Sequence, residues 1–160
     1  MHNNQNELYA VLRSLPDAVA VMEGEGVSGT VKFYGSRAGV LVVANLRGLP
    51  VSWERCGNNI FAFHIHGGGE CSGNTADPFA NAGTHYNPTD CPHPYHAGDM
   101  PPLFAAKDKA FLAFLTDRFT VSEIIGKTVI IHDRPDDLTT QPSGNAGSKI
   151  ACGVISRVRR

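Results

Sequence analysis

Histidine is the residue type whose positions in this chain point most directly to chemistry. Six of the seven histidines fall into three short motifs, and only His2 lies outside them. Imidazole is the commonest metal ligand in proteins. We therefore predict that the three motifs together build a metal site. The six residues are His64, His66, His85, His93, His96 and His132.

The first motif, Phe63-His64-Ile65-His66, ends a run that is typical of a β-strand. Alternate side chains of a strand point to the same face. We therefore expect His64 and His66 to face one ion together, while Ile65 packs in the core. The alternative is a pair of surface histidines on a half-exposed strand.

The second motif places three histidines and an aspartate within fifteen residues: His85, His93, His96 and Asp99. Imidazole and carboxylate ligands in tetrahedral array suit zinc. The alternative is a solvated histidine-rich loop. The third motif is His132, which ends the apolar run 129–131. A lone histidine there is more often structural, so its interest depends on the other two motifs.

The segments that must position these residues are short runs of β-branched and aromatic residues, separated by turns from a stock of 17 glycines and 10 prolines. This pattern predicts an all-β antiparallel sandwich or barrel. A helical turn or two within residues 3–15 is also possible. The expected strands are 18–23, 28–34, 40–46, 60–66, 109–115, 128–132 and 151–158.

Two long stretches, 67–102 and 133–148, show no pattern typical of a helix or a strand. Long ordered loops in a compact domain are usually functional. Each stretch begins directly after a histidine that ends a strand-like run. We therefore expect the loops to carry the chemistry and the strands to hold it.

The length of 160 residues suits one domain, which we place at 18–160 after an N-terminal extension, 1–17. The net charge of −1 gives no support to a nucleic-acid or membrane partner. Because no basic, apolar leader is evident, we expect a cytoplasmic protein, or a periplasmic or extracellular one if a signal was removed. If any of the four cysteines form a disulfide, that bond would argue against a cytoplasmic location, because cytosolic thiols are normally reduced.

Taken in order, the motifs resemble the copper,zinc superoxide dismutases, especially the short-loop bacterial members. The resemblance runs from about Ala18 to Val158 and rests on FHIH (63–66), GTHYNP (83–88), HAGD (96–99), IIHDRPDD (130–137) and GNAGSKIACGVI (144–155). It implies an eight-stranded antiparallel Greek-key β-barrel. The stretches 67–102 and 133–148 would be its metal-binding and electrostatic loops.

The resemblance also implies the ligands of a copper ion and a zinc ion. Copper would be held by His64, His66, His85 and His132. Zinc would be held by His85, His93, His96 and Asp99, so that His85 bridges both ions. Asp136 would link His64 to His93, unless it is merely a turn residue after Pro135. Cys71 and Cys152 would form the intrachain disulfide of the family.

The implied reaction converts superoxide to dioxygen and hydrogen peroxide. Copper would be alternately reduced and reoxidised, and the bridging His85 would release copper and take up a proton. Lys149 stands where the family places an arginine that guides the anion. Lysine keeps the charge but loses the planar fork of donors, so we expect retained but reduced turnover.

Other departures from the family leave questions open. His93 and His96 are closer together than is usual, a change expected to alter zinc affinity or geometry. Cys56 and Cys91 have no counterpart: they could pair, remain free or compete as ligands, and we favour a second disulfide. A homodimer is possible, because family members differ in assembly.

The alternative function is a catalytically silent superoxide dismutase-like module that binds copper and zinc. A zinc-binding or metal-buffering protein without a redox role is a third hypothesis. The last is an adhesion-type β-sandwich with an incidental histidine-rich loop.

Overall fold

The computed structural model describes residue 11 and residues 13–159. Seven strands form one curled antiparallel sheet in the order β5-β8-β9-β1-β2-β3-β7, and β4 pairs with β6. The strands are β1 (Ala18–Gly24), β2 (Ser28–Ser36), β3 (Gly39–Arg47), β4 (Ile60–Phe61), β5 (Phe63–His66), β6 (Leu103–Phe104), β7 (Ala110–Thr116), β8 (Thr128–His132) and β9 (Lys149–Arg157). A 3₁₀ turn (Ala80–Ala82) and a short helix, α1 (Val121–Ile124), complete the regular structure of the described residues.

The predicted all-β antiparallel fold is confirmed, and the expected strand 60–66 changes partner midway. Ala62 separates β4 from β5; its N–H donates to the carbonyl of Arg134 at 2.7 Å, and its carbonyl accepts from the N–H of His132 at 3.0 Å. The chain therefore passes from pairing with β6 to pairing with β8. If β4 and β5 are counted as one strand, the described residues contain the eight strands expected.

The core follows the alternation seen in the sequence. Val31 and Phe33 of β2 are buried, whereas Lys32 between them is only half-buried. On β5 the core side is occupied by Phe63 and Ile65, both fully buried. The packed interior thus fixes β5, so that the opposite face can present its two histidines.

The strands begin where the expected domain does, at Ala18, although the division at residue 17 stays a prediction. The possible helical turn within 3–15 falls mostly outside the described residues. No helix in the part of the chain that the structure describes is long and apolar enough to span a membrane.

A disulfide joins Cys71 to Cys152, as the family resemblance implied, and ties the first long loop to β9. The two cysteines are 81 residues apart, a separation for which the chain-entropy model predicts a stabilisation of about 4 kcal/mol. The prediction of a second disulfide is wrong, because Cys56 and Cys91 are both free cysteines. The two cysteines lie in separate turns. Beside Cys56, the N–H of Gly57 donates to the carbonyl of Glu54 at 2.9 Å. The side chain of Asn87 hydrogen-bonds both the N–H and the carbonyl of Cys91.

Candidate metal centre

Two adjacent strands deliver three of the histidines. His64 and His66 lie on the face of β5 opposite Phe63 and Ile65, as the alternation predicted. The neighbouring strand β8 ends in His132, at a register irregularity between Ile131 and His132. This geometry brings Nε2 of His132 to 3.3 Å from Nε2 of His66.

The first long loop runs along the open edge of β5 and adds the fourth histidine. The N–H of Tyr86 donates to the carbonyl of Ile65 at 2.8 Å, and the N–H of Ile65 donates to the carbonyl of Gly98 at 2.9 Å. Isolated bridges pair His66 with His85 and His64 with Asp99. The edge strand is thereby covered, and His85 and Asp99 are held by backbone pairing beside the histidines of β5.

The first group of donors consists of four buried imidazoles whose ligand atoms lie within 4.8 Å of one another: His64, His66, His85 and His132. Hydrogen bonds fix three of these rings. Nδ1 of His66 donates to the carbonyl of Gly83 at 2.8 Å, Nδ1 of His132 donates to the carbonyl of Gly147 at 3.2 Å, and Nε2 of His64 contacts the carboxylate of Asp136 at 2.7 Å. Each ring is therefore left with its other nitrogen as a lone-pair donor.

The second group of donors is also buried, and its ligand atoms likewise lie within 4.8 Å of one another. It consists of His85, His93, His96 and Asp99. Nδ1 of His85 lies 2.7 Å from Oδ1 of Asp99 and 3.3 Å from Nδ1 of His96. Nδ1 of His93 lies 3.1 Å from Oδ2 of Asp99. His85 belongs to both groups: its Nδ1 lies among these atoms, and its ring centroid lies 4.0 Å from that of His64 and 5.0 Å from that of His66.

Asp136 connects the two groups through their outer nitrogens. Its Oδ2 contacts Nε2 of His64 at 2.7 Å, and its Oδ1 contacts Nε2 of His93 at 2.9 Å. Gly144 has a φ of +69° beside them, and a Cβ there would collide with Asp136. The linking position implied by the family resemblance is thus where the structure places this carboxylate.

Unpartnered buried nitrogens test whether metal ions suit these donors. Nδ1 of His64 and Nε2 of His85 are buried without a hydrogen-bond partner, and Nδ1 of His93 makes no hydrogen bond although Oδ2 of Asp99 lies 3.1 Å away. An unsatisfied buried polar atom costs roughly 1–3 kcal/mol, and a bound metal ion would compensate for that cost. Four nitrogens suit Cu(II), and three nitrogens with a carboxylate suit zinc. The donor sets therefore fit one copper and one zinc ion.

Burial keeps the rings in the form that can bind a metal. It lowers the pKa of His66 to about 2 and that of His132 to about 3, and it also lowers the pKa of His64 and of His96. A neutral imidazole is the ligating form, so these rings need not lose a proton at neutral pH.

The two carboxylates stay ionised in the same surroundings. Burial alone would raise the pKa of Asp99 and of Asp136. Hydrogen bonds from His85 to Asp99 and from His64 to Asp136, with the charge attraction of the rings, instead hold both pKa values below the usual range. The site therefore keeps two negative charges beside its buried rings.

A cavity of about 560 Å³ leads from the surface to the first group, reaching His66, His85 and His132. Lys149, the predicted guiding cation, lies on its wall. Its Nζ contacts Oδ2 of Asp77 at 2.6 Å and donates to the carbonyl of Phe79 at 3.2 Å. Lys149 thus shares the cavity wall with His66 and His132, and its ammonium has a carboxylate partner that sequence reasoning did not anticipate.

Two further residues that hold the site were not found from the sequence. The side chain of Gln141 brackets the backbone of His93, accepting from its N–H at 2.9 Å and donating to its carbonyl at 2.7 Å. Nη1 of Arg118 donates to the carbonyls of Pro94, His96 and Asp99 at 3.0–3.3 Å. Both act across long sequence separations on main-chain atoms, for which residue types offer no signal.

Known proteins resemble this chain in sequence and in fold. Residues 27–155 match the family model described as copper/zinc superoxide dismutase (SODC). Superoxide dismutase (Cu-Zn) 2 of Aquifex aeolicus is 36% identical over 148 residues, which cover 83% of this chain and 81% of that protein. Superoxide dismutase (Cu-Zn) of Caulobacter vibrioides is 33% identical over 157 residues, covering 86% and 84% respectively.

A solved structure agrees with these sequence matches. The crystal structure of the clock protein EA4 superposes with a TM-score of 0.75 at 28% identity, covering 91% of this chain and 97% of that one. The chain therefore belongs to the copper/zinc superoxide dismutases, a family of oxidoreductases. Copper and zinc are the cofactors of this family, and the two histidine groups are the places where the chain could bind them.

Proposed function

We propose that this chain is an active superoxide dismutase that converts two superoxide anions and two protons to dioxygen and hydrogen peroxide. The observation that supports this most directly is the position of His85. The ring belongs to both donor groups: its Nδ1 contacts Oδ1 of Asp99 at 2.7 Å, and its Nε2 is buried without a hydrogen-bond partner. A ring shared in this way can couple electron transfer at one ion to proton transfer.

In this proposal each donor group holds one ion. Copper is held by His64, His66, His85 and His132. Zinc is held by His85, His93, His96 and Asp99. When bound, copper supplies alternate one-electron oxidation and reduction of superoxide, and zinc supplies a fixed positive charge beside the shared ring.

His85 is the proton carrier of the proposed mechanism. Its Nδ1 is fixed on the side of Asp99, so Nε2 is the atom that takes up a proton and delivers it to the anion being reduced. His85 lines the cavity, and this proton therefore reaches the same space as the substrate. Asp136 maintains the orientation of His64 and His93, and thus the separation of the two donor groups.

Lys149 attracts the anion in this proposal. Its ammonium lies on the cavity wall, where a positive charge favours entry of superoxide. Because a lysine lacks the planar, bidentate fork of an arginine, we propose a turnover that is retained but lower than in members with arginine at this position.

The activity is tested by loading the protein with copper and zinc and measuring superoxide decay by pulse radiolysis. We expect decay far above background, and loss of that catalysis in His85→Gln after both metals have been verified by elemental analysis. Background decay in the loaded protein would instead support the silent metal-binding module. A protein that takes up zinc but shows no Cu(II) resonance with nitrogen ligands would support the metal-buffering hypothesis.

Assembly and compartment are also proposals. We propose a homodimer, to be tested by light scattering of the metal-loaded protein, and a cytoplasmic location, to be tested by fractionation of the native host. The Cys71–Cys152 disulfide makes the fractionation informative, because cytosolic thiols are normally reduced and a disulfide is unusual there.

A further inference from the structure

We propose that Asp77 is a specificity-determining residue that occupies the ammonium group of Lys149 and weakens the binding of small monoanions in the cavity. The inference rests on the proposed function for its link to superoxide. Its physical basis is the contact between these two side chains and their place on the cavity wall.

The contact between Asp77 and Lys149 is close and partly shielded. Nζ of Lys149 lies 2.6 Å from Oδ2 of Asp77, and the two side chains are 14% and 38% exposed. A second donor of the ammonium is used by the carbonyl of Phe79 at 3.2 Å. With two of its three donors engaged, the ammonium has a single N–H left for an entering anion, and the carboxylate of Asp77 offsets its charge.

Asp77 is held in place independently of the lysine. Its Oδ1 accepts from the N–H of Phe79 at 3.0 Å, and its own N–H donates to Oδ1 of Asn74 at 3.1 Å. The segment that carries it follows Cys71, which the disulfide ties to β9. The carboxylate of Asp77 therefore has a fixed position on the cavity wall.

The contact between Asp77 and Lys149 matters because these two residues set the balance of charge on the cavity wall. Among the described residues that line the cavity, Asp77 and Lys149 are the only ones of the types Asp, Glu, Lys and Arg. Their formal charges cancel, so among the cavity's own Asp, Glu, Lys and Arg side chains Asp77 offsets the positive charge that Lys149 presents to an anion. The hydrogen bond from Lys149 lowers the pKa of Asp77, which keeps the carboxylate charged at neutral pH.

The test compares azide binding to the copper- and zinc-loaded protein and to Asp77→Asn, by optical titration at low ionic strength. Asparagine keeps an oxygen for the N–H of Phe79 but loses the charge. We expect azide to bind roughly two- to fivefold more tightly, the change that corresponds to release of a partly exposed ion pair. The superoxide rate should rise in the same direction and depend more steeply on salt.

The matched control is Asp108→Asn, which removes the same charge from an exposed turn outside the cavity wall. It should leave azide affinity unchanged. Repeating Asp77→Asn in a Lys149→Met background separates masking from field effects, because Asp77 then acts only through its field. We expect a smaller gain in azide affinity there than in the background that retains Lys149.

Each result decides the proposal. Equal gains in both backgrounds, an unchanged or weaker azide affinity in Asp77→Asn, or an equal gain in Asp108→Asn would overturn it. Background superoxide decay in every loaded variant, together with the expected azide shifts, would reject the proposed function but leave the masking of Lys149 supported.

Discussion

Asp136 contacts one ring in each of the two donor groups. Each of its carboxylate oxygens contacts a different ring, His64 in one group and His93 in the other. Outer partners of this kind set the orientation and basicity of a ligating imidazole. The two proposed ions are thus coupled through Asp136 as well as through the shared ring of His85.

Replacing Asp136 should therefore weaken both proposed sites at once. In Asp136→Asn only one oxygen remains, and the amide N–H₂ faces a ring N–H, so one of the two contacts is lost. We expect zinc and copper affinities to fall by about 10- to 100-fold, measured by chelator competition.

Asp137→Asn is the matched control for this prediction. Its carboxylate accepts only from Thr139 and Thr140, so metal affinity should stay at the level of the unmodified chain. Unchanged affinities in Asp136→Asn would show that the link between His64 and His93 has no role in metal binding.

At the scale of elements, the metal-bearing loop is held from several sides. The edge of β5 pairs with residues 84–86 and 98–99, and the disulfide anchors the start of the loop. Arg118, in the connection between β7 and α1, donates to three carbonyls of the segment that contains His96 and Asp99.

Arg118→Met should loosen this segment while leaving the β-sheet intact. The carbonyls of Pro94, His96 and Asp99 lose a charged donor, so two ligands of the second group lose their fixed position. We expect zinc affinity to fall about tenfold, measured by competition with a chromogenic chelator, with an unchanged far-ultraviolet circular dichroism spectrum.

Arg37→Met, which removes a charge from an exposed turn between β2 and β3, serves as the comparison. Its zinc affinity should match that of the unmodified protein. An Arg118→Met protein that retains full zinc affinity would mean that the β5 edge and the disulfide hold the segment without help from the guanidinium.

At the scale of the whole molecule, the buried histidines make the metal-free protein sensitive to acid. Burial lowers the pKa of His66 to about 2 and of His132 to about 3, from 6.5. The folded state thus keeps these rings neutral, while the unfolded chain protonates them below pH 6.5. Their contribution to stability is complete above that pH and is lost as the pH falls toward 3.

We expect the free energy of unfolding of metal-free protein to decrease by about 1.4 kcal/mol per pH unit for each such histidine in this window. Denaturant titrations at a series of pH values measure the slope. His132→Gln removes one titrating ring and should flatten the slope correspondingly. A slope that is the same in both proteins would contradict the assignment of this acid sensitivity to the buried rings.

Much of the fold could be predicted from local patterns. The alternation in β2 and in Phe63-His64-Ile65-His66 identified both the strands and their buried faces, because side chains of a strand alternate between two faces. β6 was missed, since two residues are too few for a pattern and only pairing with β4 makes them a strand. The division of β4 from β5 was missed for the same reason.

The sequence by itself determined the kinds of donor, their order along the chain and the all-β framework, because residue chemistry and the two-residue period are local properties. Only the tertiary structure decided which nitrogen of each ring is free, that Asp77 pairs with Lys149, and that Cys56 and Cys91 do not pair. These outcomes depend on distances between residues far apart in the chain, such as the 72 positions between Asp77 and Lys149. Such distances are set by how the strands and loops pack, which no short stretch of residues encodes.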